Sequence, residues 1–217
     1  AVIPYLDDLT ESARLIGAVN TVLHQDGLLI GHNTDGIGFF KSLETLRAFH
    51  VRNKRLTILG GGGASTAIIA QAAIDGAKEI TIFCRPQSVE RTVATVQTIE
   101  QSTGVSLQVL PNNDSQLLAE HINNSDLLIN GTSVGMDGTS LPLPATIRFP
   151  EELLVADVIY QPFETPLLKM ANSQGNPTIN GLGMLLFQAA EAFELWTGKE
   201  MPTDLIWQLL VQKYDIK

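Results

Sequence analysis

Along most of this chain, apolar and polar positions alternate between two patterns, one typical of buried strands and one typical of helices. Short apolar runs of the length of buried strands occur at residues 56–59, 80–84, 105–110, 126–130, 153–158 and 178–180. Apolar residues at helical spacing predict helices at residues 64–75, 88–101, 115–122, 165–173, 184–197 and 203–214. Because this alternation implies right-handed parallel crossovers, it predicts an α/β fold built on a doubly wound parallel sheet.

The N-terminal part of the chain follows a different pattern. Thr10 is a typical N-cap residue and predicts a short helix that ends at Ile16. Two apolar runs, at residues 18–23 and 28–32, flank an Asp26-Gly27 pair, and Asp-Gly is a strong hairpin turn. We therefore expect a short helix and a β-hairpin ahead of the parallel sheet.

Cap-type residues stand before the next predicted helix, at residues 36–50. Asn33, Thr34 and Asp35 precede it, and its apolar positions recur at helical spacing. A carboxylate at this position can act on a ligand, or it can serve only as a helix cap.

A glycine cluster joins the first strand of the predicted sheet to its first helix. Gly60, Gly62 and Gly63 remove side chains where a pyrophosphate would approach backbone amides, and the following helix presents the positive end of its dipole. A strand before the cluster, an alanine-rich helix after it and a second strand further on are typical of dinucleotide binding in a Rossmann-like domain. A purely structural turn is the alternative.

The end of the second sheet strand bears on the choice of cofactor. An acidic residue there suits NAD, whereas arginine suits the 2′-phosphate of NADP. The sequence has Cys84-Arg85, with no acidic residue before Glu90. Arg85 favours NADP, but arginine can also stack on adenine and accept NAD, or simply be solvated at a strand end. We interpret Cys84 as a packing or cofactor-lining residue, because no histidine neighbours it in the sequence.

Polar residues also follow later strands of the sheet. Thr132 follows the fourth strand and Tyr160 the fifth, so both are expected at the same edge of the sheet. Gln188 lies on an otherwise apolar helix, where burying its amide requires a polar partner.

The amino-acid composition argues against some classes of binding partner. The net charge is −9 and no long basic run occurs, which argues against a nucleic-acid or anionic-membrane surface. One cysteine excludes an internal disulfide framework, and no apolar stretch approaches the roughly 18 residues of a membrane helix. We expect a cytoplasmic protein with a small-molecule ligand.

Several motifs together resemble the shikimate/quinate dehydrogenase family, in order and spacing over nearly the whole chain. They are Gly17-Ala18-Val19-Asn20-Thr21, Asn33-Thr34-Asp35-Gly36, residues 60–66, Asn130-Gly131-Thr132, Val158-Ile159-Tyr160, residues 181–188 and Trp196-Thr197-Gly198. The resemblance implies oxidation of a ring secondary alcohol, shikimate to 3-dehydroshikimate or quinate to 3-dehydroquinate, with hydride passing to NADP or NAD. It also implies a role in chorismate and aromatic amino-acid biosynthesis, and a homodimer is usual in related enzymes.

The resemblance also implies roles for particular residues. Asp35 would be the acidic catalytic partner at the reacting hydroxyl. The substrate-binding residues would be Asn20, Asp35, Tyr160 and Gln188. The cofactor-binding residues would be Gly60, Gly62, Gly63, Ala64, Arg85, Thr132, Val158 and Gly181. One departure is Cys84, where the family usually has asparagine, and it leaves the choice between NAD and NADP open.

A second departure concerns the first residues. In the family, the segment that resembles residues 1–10 follows an Asn-Lys pair whose lysine is the principal proton-transfer residue, and a serine-rich motif earlier in the chain grips the substrate carboxylate. Neither stands ahead of residues 1–10 in this sequence. We expect the 217-residue chain to bind NAD(P) but to turn shikimate over poorly or not at all. Residues 1–36 would be the C-terminal part of a substrate domain, 37–200 a dinucleotide-binding domain, and 201–217 a terminal helix returning toward the first domain.

Two other classes of protein share some of these features. A non-catalytic dinucleotide-binding or regulatory module would have the glycine cluster but would not need Asn20, Asp35 and Gln188 together. An S-adenosylmethionine-dependent transferase also has a glycine loop after its first strand, but normally has an acidic residue where this chain has Arg85.

Overall fold

The computed structural model describes residues 2–214, and Ala1 and residues 215–217 lie outside the description. A three-stranded sheet comes first, in the spatial order β1-β3-β2. Its strands are β1 (Asp8–Leu9), β2 (Thr21–Gln25) and β3 (Leu28–His32), and β2 and β3 form the predicted antiparallel hairpin. Asp26 and Gly27 take positive φ values of 53° and 84° at its turn. The first hairpin strand begins at residue 21 rather than 18.

The first helix, α1 (Glu11–Ile16), lies between β1 and β2 in the chain. Thr10 caps it as predicted, because its hydroxyl accepts a hydrogen bond from the amide of Ala13.

A six-stranded sheet forms the larger part of the molecule. Its strands are β4 (Arg55–Leu59), β5 (Glu79–Cys84), β6 (Ser106–Pro111), β7 (Leu127–Asn130), β8 (Leu154–Asp157) and β9 (Thr178–Ile179). They run in the order β6-β5-β4-β7-β8-β9, and every neighbouring pair is parallel. The prediction of a doubly wound parallel sheet is therefore confirmed. The carboxyl ends of β4 and β7 meet where the strand order reverses, which is where open α/β sheets bind ligands.

The remaining helices connect and cover these strands. They are α2 (Asp35–Arg47), α3 (Gly63–Ile74), α4 (Val89–Thr103), α5 (Ser115–Asn123), α6 (Pro166–Ser173), α7 (Gly181–Thr197) and α8 (Thr203–Tyr214). Two helix boundaries differ from the prediction by three residues, and the other helix boundaries agree with it within two residues. Helix α2 ends at Arg47 rather than residue 50, because Ala48 adopts a left-handed conformation with φ of 51°. Helix α7 begins at Gly181 rather than residue 184, because the Asn180 side chain caps it through the amide of Leu182.

Close packing of α2 against α3 and α7 places the site residues. A Cβ atom at Gly36 would lie 2.6 Å from Cβ of Gln71 on α3, and one at Gly38 would lie 2.6 Å from Cα of Gln188 on α7. Because these two glycines of α2 have no side chain, the backbone of α2 can pack closely against both α3 and α7. The start of α2 is held beside both neighbouring helices.

Helix α8 lies against α7 and, with Trp207 and Val211, borders a groove next to the end of α2. The last three residues of the predicted terminal unit lie outside the described residues. No helix within residues 2–214 has both the length and the apolar character needed to cross a membrane.

Candidate active site

The glycine cluster forms an open cradle at the start of α3. Gly62 is the extended N-cap residue, with φ of −86° and ψ of −174°. A Cβ atom at Gly62 or at Gly63 would meet no atom within 4 Å, so both backbones face open space. At Gly60, φ is +99° and a Cβ would lie 2.7 Å from the Thr132 methyl carbon, so only glycine fits there. The cradle suits the close approach of a pyrophosphate to a helix N-terminus.

A cavity of about 430 Å³ extends from this cradle. Its lining residues that matter for a dinucleotide are Gly60, Gly62, Cys84, Arg85, Ser88, Arg91, Asn112 and Thr132. Cys84 is 3% exposed, in agreement with a packing and lining role. Arg85 is exposed at the end of β5 and Arg91 lies on α4. Two arginine residues and the glycine cradle therefore line the same cavity.

Four predicted cofactor residues do not line this cavity, namely Gly63, Ala64, Val158 and Gly181. Gly63 is the first residue of α3. Ala64 is in the first turn of α3. Gly181 packs with its Cα against the carbonyl of Val158, and its amide donates to the Ile159 carbonyl at 3.0 Å. Val158 and Gly181 thus form one close backbone contact, where β8 ends and α7 begins.

A second cluster of polar groups forms around the start of α2. The Asn20 side-chain amide donates to Asp35 Oδ1 at 2.9 Å and to Thr34 Oγ1 at 3.0 Å. The Thr34 amide donates back to Asn20 Oδ1 at 3.1 Å, and the Thr34 hydroxyl donates to Gln188 Oε1 at 3.5 Å. The structure thus brings together Asn20, Asp35 and Gln188, three residues that the sequence analysis selected from distant parts of the chain.

The hairpin fixes the position of Asn20 in this cluster. Asn20 immediately precedes β2, and its backbone amide donates to the carbonyl of His32 on β3 at 3.1 Å. The carboxylate of Asp35 and the amide of Asn20 stay partly accessible to solvent. A hydroxyl-bearing ligand can therefore reach both an acceptor and a donor at this point.

Tyr160 is the fourth residue predicted to bind the substrate. It is 51% exposed, just beyond the end of β8. Within residues 2–214, no side-chain hydrogen bond joins it to Asn20, Asp35 or Gln188.

Sequence reasoning missed three kinds of contributor. Thr34 links Asn20 to Gln188, although by sequence it was only a cap-type residue. Ser88 and Arg91 border the cofactor cavity beyond the end of β5. Asp157 is 1% exposed and hydrogen-bonded to Asn130. Burial raises the pKa of Asp157, and hydrogen bonds from Ile159, Asn130 and Thr165 oppose that rise.

Comparison with known proteins identifies the family. A shikimate dehydrogenase (NADP(+)) of Streptococcus suis is 82% identical over 217 residues, which are 100% of this chain and 75% of that protein. The chain belongs to the shikimate dehydrogenase family. A shikimate dehydrogenase (NADP(+)) of Streptococcus mutans is 57% identical over the same coverage. The profile of the Shikimate 5'-dehydrogenase C-terminal domain matches residues 181–211.

Solved structures of the family share the fold described above. Shikimate 5-dehydrogenase from Listeria monocytogenes, solved with shikimate and NAD, is 44% identical with a TM-score of 0.91, and the match covers 96% of this chain and 73% of that one. Quinate dehydrogenase from Corynebacterium glutamicum, solved with NAD, is 28% identical with a TM-score of 0.84, and the match covers 97% and 73%. The predictions of the family and of a Rossmann-like α/β fold are confirmed.

Proposed function

We propose that this protein is an NADP(H)-dependent oxidoreductase that interconverts shikimate and 3-dehydroshikimate. The observation that carries the proposal is the Asn20–Asp35 pair at the start of α2, linked through Thr34 to Gln188. Helix α2 packs on α3, whose N-terminus is the glycine cradle. A carboxylate for the substrate and a cradle for the cofactor are thus held by two helices in direct contact.

Two groups of this chain would contact the reacting alcohol. Asp35 accepts a hydrogen bond from the reacting hydroxyl and holds that hydroxyl's proton as the carbon is oxidised. Asn20 orients Asp35 through its amide and offers a second polar group to the ring hydroxyls. Gln188 and Tyr160 complete the substrate site. When bound, the nicotinamide supplies the hydride acceptor.

The residues of the cavity fit a dinucleotide. Gly60, Gly62, Gly63 and Ala64 would hold the pyrophosphate through backbone amides. Arg85, with Arg91 beside it, would face the adenosine ribose and favour the 2′-phosphate of NADP. The loop and strand ends facing the rest of the cofactor are Thr132, Val158 and Gly181.

Quinate is the second candidate substrate. The quinate dehydrogenase of Corynebacterium glutamicum shares the fold at 28% identity. Quinate and shikimate both present ring hydroxyls and a carboxylate, and the Asn20–Asp35 pair would contact either through the hydroxyls.

The organisation of the chain is also a proposal. Residues 1–36 would belong to the substrate domain, 37–200 to the dinucleotide-binding domain and 201–217 to a terminal helix. The Trp196 indole donates to the carbonyl of Val22 at 3.0 Å and so ties the end of α7 to the hairpin. A cytoplasmic location would fit the single cysteine, Cys84, which is buried and free. A homodimer would fit the family resemblance.

A titration and an assay test the proposed function together. The protein as its gene encodes it is titrated with NADPH, NADH and S-adenosylmethionine, and is then assayed with shikimate and with quinate. We expect NADPH to bind more tightly than NADH, S-adenosylmethionine not to bind, and NADP⁺ to be reduced when shikimate is present. Binding of NADPH without turnover of either acid would instead support a non-catalytic module. Binding of S-adenosylmethionine alone would support a transferase.

A further inference from the structure

Asp157 is a buried carboxylate at the junction of three loops. It ends β8 and is 1% exposed. The Asn130 side-chain amide donates to both of its oxygens at 3.1 Å. The amide of Ile159 donates to it at 3.0 Å and the hydroxyl of Thr165 at 2.7 Å. Every one of these contacts is a donor, which suits a carboxylate and leaves no place for a side chain that itself donates.

Hydrogen bonds of Asn130 connect this buried carboxylate to the cofactor cavity. It ends β7 and pairs in register with Asp157 of the neighbouring strand. Its Oδ1 accepts from the Thr132 amide at 3.1 Å and from the Thr132 hydroxyl at 2.7 Å. Its Nδ2 also donates to the carbonyl of Val134 at 3.0 Å. Thr132 and Val134 both line the cavity, so one asparagine ties the cavity wall to the buried carboxylate.

A second path leads from Asp157 toward the substrate cluster. Ile159, whose amide donates to Asp157, accepts at its carbonyl from the amide of Gly181 at 3.0 Å. Gly181 is the first residue of α7, and α7 carries Gln188. The same carboxylate therefore fixes one wall of the cavity and the start of the helix that reaches Thr34.

We propose that Asp157, acting through Asn130, is a positioning residue that holds the loop of residues 131–134 in the conformation that binds the nicotinamide dinucleotide. This inference rests on the proposed function, because it names what sets the wall of that same cofactor site. Asn130 can make all of these hydrogen bonds only when its side-chain oxygen faces Thr132 and its NH₂ group faces Asp157. An acceptor-only partner enforces that orientation, whereas a second amide side chain in place of the carboxylate would set one NH₂ group against another.

A purely structural role predicts a different result. A buried hydrogen-bonded carboxylate that served only the fold would lower stability when changed but leave cofactor affinity as it was. The positioning role predicts a loss of affinity in molecules that remain folded. An exchange of the two side chains separates these alternatives, because it restores a donor and an acceptor between positions 130 and 157 without the original residues.

The test uses three variants, Asp157→Asn, Asn130→Asp and the double variant that combines the two changes. We expect Asp157→Asn to weaken NADPH binding roughly 10-fold to 100-fold, as expected for lost hydrogen bonds to a charged group. Asn130→Asp sets two carboxylates together and should weaken binding at least as much. In the double variant the carboxylate introduced on β7 can again accept from Thr132 and from the amide introduced on β8. NADPH affinity should therefore be higher than in either single variant, while the lost hydrogen bond to the Val134 carbonyl keeps it below that of wild type.

A matched control is available in Asn176, another buried asparagine. Its side-chain amide donates to the carbonyls of Pro150 at 2.7 Å and Leu153 at 3.2 Å, away from the cofactor cavity. Asn176→Asp should lower the melting temperature without changing NADPH affinity.

The outcomes of this test are distinct. Wild-type protein that does not bind NADPH contradicts the proposed function. If wild type binds NADPH and a folded Asp157→Asn variant binds it with equal affinity, the positioning role is overturned. Absence of rescue in a folded double variant also overturns it. If Asp157→Asn does not fold, Asn130→Ala takes its place, since Asp157 then keeps its Ile159 and Thr165 donors. Unchanged NADPH affinity in Asn130→Ala overturns the inference in that case.

Discussion

Gly38 of α2 faces the backbone of Gln188 on α7 so closely that a Cβ at Gly38 would lie 2.6 Å from Cα of Gln188. The two residues are 150 positions apart in the chain, and their approach brings the Gln188 side chain to Thr34, one turn before Gly38. The start of α2 and the middle of α7 therefore form one surface. The hydrogen bond between Thr34 and Gln188, which links Gln188 to the Asn20–Asp35 pair, depends on this packing.

Gly38→Ala should destabilise the protein. Alanine would gain about 1 kcal/mol in helix propensity over glycine, but overpacking at this contact should cost about 1–3 kcal/mol or more. The measurement is denaturant unfolding of wild type and variant. Gly63→Ala is the matched control, because Gly63 also lies in a helix but a Cβ there meets nothing within 4 Å. A Gly38→Ala protein more stable than wild type would contradict the packing described.

The two arginines of the cavity predict a cofactor preference. Arg85→Gln and Arg91→Gln should each weaken NADPH binding about tenfold, because each removes a charged hydrogen-bond donor from the 2′-phosphate. NADH binding should change little, since NADH lacks that phosphate. The check is a fluorescence titration with both cofactors. Arg148→Gln makes the same charge change at an exposed position outside the cavity and should leave both affinities as they are. Equal loss for NADPH and NADH would refute the assignment.

His32 predicts how stability depends on pH near the hairpin. Burial lowers the pKa of His32 below its ordinary 6.5, while the charge of Glu191 opposes this shift. Its Nε2 atom is buried and has no hydrogen-bond partner among the described residues. The imidazole of His32 therefore binds a proton more readily in the unfolded chain than in the folded protein. The stability that the neutral form of His32 contributes to the fold is complete above about pH 6.5, and it is lost as the pH falls through the lower pKa of the folded state.

His32→Gln should flatten that part of the stability profile. The free energy of unfolding is measured in urea at about pH 7.5 and at about pH 5.5, values that bracket the ordinary histidine pKa. Wild type should lose more stability than the variant over this interval. His50→Gln is the control, because His50 is an exposed histidine beside Glu44. A steeper profile in His32→Gln than in wild type would show that the sign is wrong.

Much of the fold was predictable because its determinants are local. The Asp26-Gly27 turn, the Thr10 cap and the apolar strands each act over a few residues, and all were confirmed. The end of α2 was not predicted, because a left-handed Ala48 leaves no compositional trace. Helix α7 likewise starts three residues early, since the cap at Asn180 outweighs the low helix propensity of the glycines that follow it.

The site was less predictable, because its contacts join distant parts of the chain. Asn20 and Asp35 were selected through the family resemblance, but their link through Thr34 to Gln188 depends on packing between α2 and α7. The role of Asp157 depends on the register of two neighbouring strands, and a strand-ending aspartate has no distinctive pattern by itself. Such relationships follow from the tertiary structure and not from spacing.

Asp35 is proposed to handle the proton of the alcohol while the glycine cradle holds the cofactor, and this division of roles is the central claim. The most direct measurement is the shikimate-dependent reduction of NADP⁺ by wild type and by Asp35→Asn, with NADPH affinity measured for both proteins. We expect NADP⁺ reduction to be about 10²-fold to 10⁴-fold slower in the variant, the usual contribution of a positioned acid or base, with NADPH affinity unchanged. A variant that reduces NADP⁺ as fast as wild type would contradict the claim.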